Sequence, residues 1–281
     1  MRLSIIILNY NTRDLLDAAI GSLHSKVSHE IIVVDNASTD DSVSFIKSNH
    51  QNVKLIVSPQ NVGFAAGNNL GIRAAQGDYI MLLNSDTKVQ TGALDKLLHF
   101  ADSHREIGIL TPKLILPDGV LDLSCHRGFP TLGNSIAYFL GLESIFPNFK
   151  PLAQYHQTYQ DFATPHPVDV VSGAAMLIRR QVIDQIGLLD ERFFMYAEDI
   201  DFCLRAKQAG WLTYYYPGAV VVHFKGASGS KSQDPSAKSR TRGHFYTTMH
   251  QYFHKHHAAK YPKPARWLVK AGIYIVGKIK G

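Results

Sequence analysis

The sequence predicts an α/β fold in which a mostly parallel sheet is flanked by helices and followed by a basic helical tail. Three observations carry that expectation. Short apolar runs of strand length recur through the first hundred residues, as strands buried on both faces require. Between them lie segments with helical spacing of apolar positions, each ending near a polar residue or a glycine. The charge is split along the chain: residues 231–281 hold eleven Lys or Arg against Asp234 alone, whereas the first 230 residues hold 18 basic and 22 acidic side chains.

The elements follow in order. Apolar runs at Leu3–Leu8, Glu30–Val34, Val53–Val57 and Tyr79–Leu83 predict four strands, and Asp14–Leu23, Asp41–Ser48 and Ala65–Ala75 predict the helices between them. The pattern is βαβαβαβ. Ile107–Leu116 reads as a strand interrupted by Pro112, and Pro117, Asp118 and Gly119 form a turn signal. Gly133–Phe146 is apolar and aromatic, which suits either a core helix or the wall of an acceptor site. The stretch with His156, Pro165, His166 and Pro167 reads as loop. Order returns at Val168–Val171, and the small residues Ser172 to Ala175 then permit close backbone approach. Glu198, Asp199 and Asp201 open a helix that stops at Gly210, and Trp211–Phe224 predicts a turn and a strand ending in HFKGAS.

Composition sets the outer limits. With 281 residues, 45% of them hydrophobic and 19% charged, the chain can bury a core and lies outside the disordered, collagen-like and coiled-coil ranges. Only Cys125 and Cys203 occur, without CxxC spacing, so a reducing, cytoplasmic setting is expected and a cysteine zinc site is not. No apolar run reaches the roughly 18 residues of a membrane span, so any membrane contact is expected to be peripheral. The basic tail points to an anionic surface. Trp267 and Tyr274 among Leu268, Ile273, Ile275, Val276 and Ile279, with Lys270, Lys278 and Lys280, suit a helix lying on an anionic membrane, although Gly272 and Gly277 weaken it. Residues 242–257 suit a helix packed on the body. No recognition motif accompanies this basic stretch, so a nucleic-acid partner is not expected.

In open sheets ligands sit beyond the carboxyl ends of the strands. The residues there are polar: Asn9, Tyr10 and Asn11, then Asp35 and Asn36, then Asn84, Ser85 and Asp86. Neither GxGxxG after the first strand nor GxxxxGK[ST] is present, so another device must hold any phosphates. A carboxylate such as Asp86 can bind Mg²⁺ or Mn²⁺ while the same ion takes diphosphate oxygens; capping of the next helix is its other reading. The acids at 198, 199 and 201 complement a helix dipole, but the aromatic approach from Phe193 to Tyr196 would also desolvate a carboxylate and suit it to proton abstraction. His223, followed by Lys225 and small residues, is a candidate metal or phosphate contact, and otherwise a structural histidine.

SIIILNYN, IIVVDNASTDDS, NVGFAAGNN, LLNSDT, VSGAAMLIRR, FFMYAEDIDFCLR and VVHFKGAS occur in that order across residues 3–228. In this ordered set the chain resembles the inverting GT-A glycosyltransferases of family 2, especially their bacterial rhamnosyltransferase-like branch. The resemblance implies a GT-A domain over 1–230, with a nucleotide-binding half to about 86, an acceptor half over 87–230, and a separate tail over 231–281. It implies that Tyr10 and Asp35 line the nucleobase and ribose pocket, that Asn61, Gly67 and Asn68 shape the donor cleft, and that Asn84, Ser85, Gly173 and Glu198 also contact the nucleotide sugar. Asp86 and His223 would hold Mg²⁺ or Mn²⁺, with Asn84 where the family's DxD motif often has its first acid. Asp199 matches the catalytic base. The implied reaction moves a sugar, rhamnose for instance, from a nucleoside-diphosphate donor to a hydroxyl of a glycan or polyprenyl-diphosphate-linked acceptor on the inner face of the cell membrane. A sugar nucleotidyltransferase is the nearest rival, but LNYNTRDLL lacks its glycine-rich basic loop. A silent nucleotide-sugar or glycan-binding module is the other, and it would have no use for Asp199.

Overall fold

The computed structural model describes residues 1–225 and 235–280, with side chains described outside 235–242, 265 and 275–280. Gly226, Ala227 and Ser228 of HFKGAS, the boundary near 230, and the side chains of Ile275, Val276, Gly277, Lys278, Ile279 and Lys280 therefore lie outside the described set. The elements run β1 (Leu3–Asn9), α1 (Arg13–Gly21), β2 (His29–Asp35), α2 (Ser42–Asn49), β3 (Lys54–Val57), α3 (Gly63–Ala74), β4 (Tyr79–Asn84) and β5 (Thr87–Val89). They continue with α4 (Ala93–Ser103), β6 (Ile107–Ile115), α5 (Leu132–Phe139), α6 (Leu142–Ile145), β7 (His166–Pro167), β8 (Ala175–Arg179), α7 (Arg180–Ile186) and α8 (Glu198–Gln208). β9 (Leu212–His223), α9 (Pro235–His256) and α10 (Lys263–Lys280) complete the order.

The strands form one sheet in the order β3-β2-β1-β4-β8-β6-β9-β5, with β7 added beside β9. β3, β2, β1 and β4 are mutually parallel, as the βα repeats predict. Beyond β4 the pairing becomes mixed: β8 is antiparallel to both β4 and β6, whereas β6 and β9 are parallel. The central strands are dry, with Ile5, Ile6 and Ile7 of β1 and Ile80 and Met81 of β4 fully buried. Such strands need cover on both faces, which explains their unbroken apolar sequence.

α3 lies unusually close to this sheet. A Cβ on Gly67 would fall 2.5 Å from Leu8 Cδ1, and one on Gly71 would fall 2.4 Å from Ile6 Cγ2. Both glycines therefore allow helix and sheet to touch. Pro112 cannot donate to the ladder, and the register of β6 against β9 shifts between Pro112 and Lys113. The strand thus survives its proline.

Two segments differ from expectation. Gly133–Phe146 is not a core helix: Gly141, at φ +72°, separates α5 from α6, and Leu132, Ile136 and Leu140 stay exposed. Val168–Val171 is buried mostly without forming a strand; only Val170 makes an isolated bridge, to Arg127. The tail behaves as two units. α9 packs on the body through Tyr252, which is buried with Phe193 and Ala197, while α10 leaves Trp267, Leu268 and Tyr274 exposed.

Candidate active site

The carboxyl ends of β1, β2 and β4 meet in a buried polar network. Asn9 Nδ2 donates to Asp35 Oδ2 at 3.0 Å and to Ser38 Oγ at 3.1 Å, while the Ser38 backbone N–H donates to Asp35 Oδ1 at 2.9 Å. Thr12 Oγ1 donates to Asn9 Oδ1 and lies 2.8 Å from Ser85 Oγ. This network fixes the chain directions just beyond the sheet. It also leaves Asp35 fully buried, with Asn36, itself buried, lining the cleft beside it.

The site is a cleft of about 1090 Å³. Of the residues singled out from the sequence, Tyr10, Asn61, Asn84, Ser85, Asp86, Gly173, Glu198, Asp199 and His223 line it. Asp35, Gly67 and Asn68 do not. Gly67 serves the α3–β1 contact, and Asn68 is buried, donating from Nδ2 to the carbonyl of Phe64 at 2.9 Å.

A glycine joins the two halves of the rim. Gly63 has φ +86°, and a Cβ there would fall 2.4 Å from the carbonyl oxygen of Phe194; that oxygen accepts from Phe64 N–H at 2.6 Å. Asn36 and Asn61 hold the turn before it, with Asn36 Nδ2 donating to Asn61 Oδ1 at 3.0 Å. The approach to α8 is strained, because Tyr196 and Ala197 have φ +70° and +66°. Asn11, Ala37 and Lys225 are also in positive φ, each just past a strand that ends at this edge. Such strain persists only where the surroundings over-determine it, and here it gathers at the cleft.

Two charged groups define the chemistry. Asp86 precedes β5, whose pairing with β9 sets Thr87 opposite His223 and brings Asp86 Oδ1 to 3.4 Å from His223 Nε2. His223 Nδ1 donates to Asp122 Oδ2 at 2.9 Å, which turns Nε2 toward Asp86. Lys225 Nζ donates to the other oxygen of Asp122 at 2.8 Å. Burial alone would lower the imidazole pKa, but its hydrogen bonds to Asp122 and Asp86 outweigh this and raise it to about 9. Burial would likewise raise Asp122, yet the bonds from His223 and Lys225 hold it well below the usual carboxylate range.

At the opposite wall, α8 begins with Glu198 and Asp199. Arg127 Nη2 donates to Asp199 Oδ2 at 2.5 Å, and the Ile200 N–H donates to Asp199 Oδ1 at 2.8 Å. Arg127 is itself fixed by its Nε donating to the Ser124 carbonyl at 2.9 Å. Each Asp199 oxygen accepts one of these bonds, and a carboxylate offers about four acceptor sites, so acceptor capacity remains. Glu198 is buried, and its Oε2 has no hydrogen-bond partner. Burial first, and the Asp199 charge second, push its carboxyl well above the usual range. Asp201 faces away from the cleft; fully buried, it receives Arg205, Lys255 and His256 and so clasps α9 to α8. One acid of the three is thus structural.

Sequence reasoning missed Asp122 and Arg127. Both lie in the irregular stretch after β6, where no periodicity or motif marks them. They reach their partners across 101 and 72 residues.

With this geometry in view, comparison with known proteins is decisive. The profile of Glycosyl transferase family 2 matches residues 4–187. The chain belongs to that family. It is similar to N-acetylglucosaminyl-diphospho-decaprenol L-rhamnosyltransferase of Mycobacterium tuberculosis, 29% identical, with 96% of this chain and 90% of that protein covered. It is also similar to rhamnosyltransferase WbbL of Escherichia coli, 26% identical, with 78% and 82% covered. Among solved structures, the mannosyltransferase PcManGT of Pyrobaculum calidifontis, in complex with GDP-Man and Mn²⁺, superposes with a TM-score of 0.59 at 15% identity, covering 98% of this chain and 69% of that one. The α/β architecture of this glycosyltransferase is therefore the GT-A fold.

Proposed function

We propose that this glycosyltransferase moves a sugar, rhamnose in the first instance, from a nucleoside diphosphate to a hydroxyl of a lipid-linked or other glycan acceptor, with inversion at the anomeric carbon. The observation that carries the reading is that Asp86, Asp199 and His223, drawn from well-separated parts of the chain, line one cleft. The names of two relatives, both rhamnosyltransferases, support the sugar, and the decaprenol in one of them supports the acceptor.

In this reading Asp199 removes the proton from the acceptor hydroxyl. The freed oxygen attacks the anomeric carbon from the face opposite the diphosphate, and the carbon–oxygen bond to the diphosphate breaks with its electron pair. Arg127 and the Ile200 N–H hold the Asp199 carboxylate in place for this transfer. Tyr10, Asn61, Asn84, Ser85 and Gly173 shape the donor side of the cleft.

Asp86 and His223 suit a divalent cation. They form a mixed oxygen and nitrogen pair, both nearly buried, with Asp86 Oδ1 3.4 Å from His223 Nε2. Among the described residues no third His, Cys, Asp or Glu joins them in a metal cluster. A bound Mg²⁺ or Mn²⁺ would neutralise charge on the departing diphosphate. PcManGT was solved with Mn²⁺ and a nucleotide sugar, which favours this assignment.

The cytoplasmic face of an anionic membrane is the proposed setting, with the basic tail over 231–281, docked on the domain over 1–230 through α9, as the contact unit. Thermal shift with a panel of nucleotide sugars plus Mn²⁺ tests the donor assignment. One donor should raise the melting temperature by several degrees, and Asp86→Ala should remove the Mn²⁺-dependent part of that rise. No stabilisation by any nucleotide sugar would refute the reading.

A further inference from the structure

The cleft does not stop at the charged groups. It continues as an apolar trough whose lining includes Ile136 of α5, Leu140 just after it, Phe253 of α9, and Leu268 and Ile273 of α10, all five in the same hollow as Asp199 and His223. Ile136, Leu140 and Leu268 are 50%, 67% and 63% exposed, so much of their apolar surface lies in water. Each Å² of such surface forgoes about 25 cal/mol of burial free energy, and a concave apolar patch of this kind marks a binding site. A nucleotide sugar, polar throughout, does not use it.

We propose that this trough takes the hydrocarbon chain of an isoprenoid diphosphate-linked acceptor, whose sugar end reaches Asp199. The assignment rests on the acceptor reading above and deepens it. Two features select this occupant. The trough opens into the catalytic cleft, so a chain seated in it is already tethered to a head group near the base. Lys263, Arg266 and Lys270 belong to α10 and Lys260 precedes it, and no acid occurs between 257 and 270, a charge that matches an anionic lipid head. A flat bilayer is the alternative occupant, but it would meet the outward Trp267 and Tyr274 rather than fill a concave channel.

The test is equilibrium dialysis of the full chain against labelled farnesyl phosphate, in chelator so that no divalent ion holds the phosphate, with inorganic phosphate as control. The unaltered chain should bind farnesyl phosphate saturably, at least tenfold tighter than inorganic phosphate. Ile136→Asp and Leu268→Asp should each weaken binding about tenfold. Both residues are exposed, so the melting temperature and the donor-induced shift should stay as in the unaltered chain. Equal binding of farnesyl phosphate and inorganic phosphate, or unaltered binding by both variants, overturns the proposal. Loss of vesicle sedimentation in the variants with farnesyl phosphate binding intact assigns the face to a bilayer, and also overturns it. Chain binding without sugar transfer to any prenyl-linked acceptor would keep the trough and remove the acceptor reading instead.

Discussion

Glu198 and Asp199 are neighbours with opposite environments, and that contrast separates their roles. Asp199 has an arginine and a backbone N–H, whereas Glu198 has a buried oxygen without a partner. Because the Glu198 carboxyl is raised above its ordinary value near 4.5, the folded chain holds a proton that the unfolded chain has released. Its contribution therefore favours folding at low pH and is lost as pH rises through and beyond the unfolded value. Glu198→Gln should remove that loss: denaturant unfolding should show its stability relative to the unaltered chain increasing from pH 5 to pH 8. A constant difference across that range would contradict the burial argument. The residues that end strands, Asn84 to Asp86 and His223, were legible because a polar group directly after an apolar run has no packing reason to be there. Asp122 and Arg127 were not, because their role exists only once the chain has returned to the cleft.

At the scale of elements, the first four strands and their helices are legible to within two residues, since local apolar periodicity suffices to write a parallel βα repeat. The antiparallel insertion of β8 between β4 and β6 is a non-local choice that no window of sequence encodes. α5 shows the same limit. Its apolar residues suited either core or the wall of a site, and they border the cleft, because periodicity reports an apolar face without saying what covers it. The contact of α8 with α9 rests on a buried charge: Asp201 is held below its ordinary pKa against burial by hydrogen bonds from Lys255, His256 and Arg205. That stability is present above a pH of about 3.8 and is lost as pH falls through the lower folded value. Asp201→Asn leaves Lys255 and Arg205 around a neutral side chain and should cost about 3 kcal/mol. Hydrogen exchange should then rise first in α9. Unchanged protection there would show that the aromatic contacts of Tyr252 with Phe193 suffice on their own.

For the whole molecule, a mildly acidic body carries the cleft and a strongly basic tail carries α9 and α10. Among the described residues no helix is long and apolar enough to cross a membrane, and Trp267 and Tyr274 of the tail are exposed. Removal of residues 262–281 should release the chain from anionic vesicles at moderate salt, and raised salt should weaken binding of the full chain, because counterions screen lysines beyond about 10 Å. Sedimentation undiminished by the truncation would refute the membrane role. The catalytic account is tested most directly by sugar transfer itself. With the nucleotide sugar that stabilises the chain, Mn²⁺ and farnesyl-diphospho-N-acetylglucosamine as acceptor, mass spectrometry should show one added sugar, and the anomeric proton coupling should show inversion. Asp199→Asn should reduce turnover at least a hundredfold while leaving donor-induced stabilisation intact. Turnover of Asp199→Asn equal to that of the unaltered chain, or a product with retained anomeric configuration, would contradict the account.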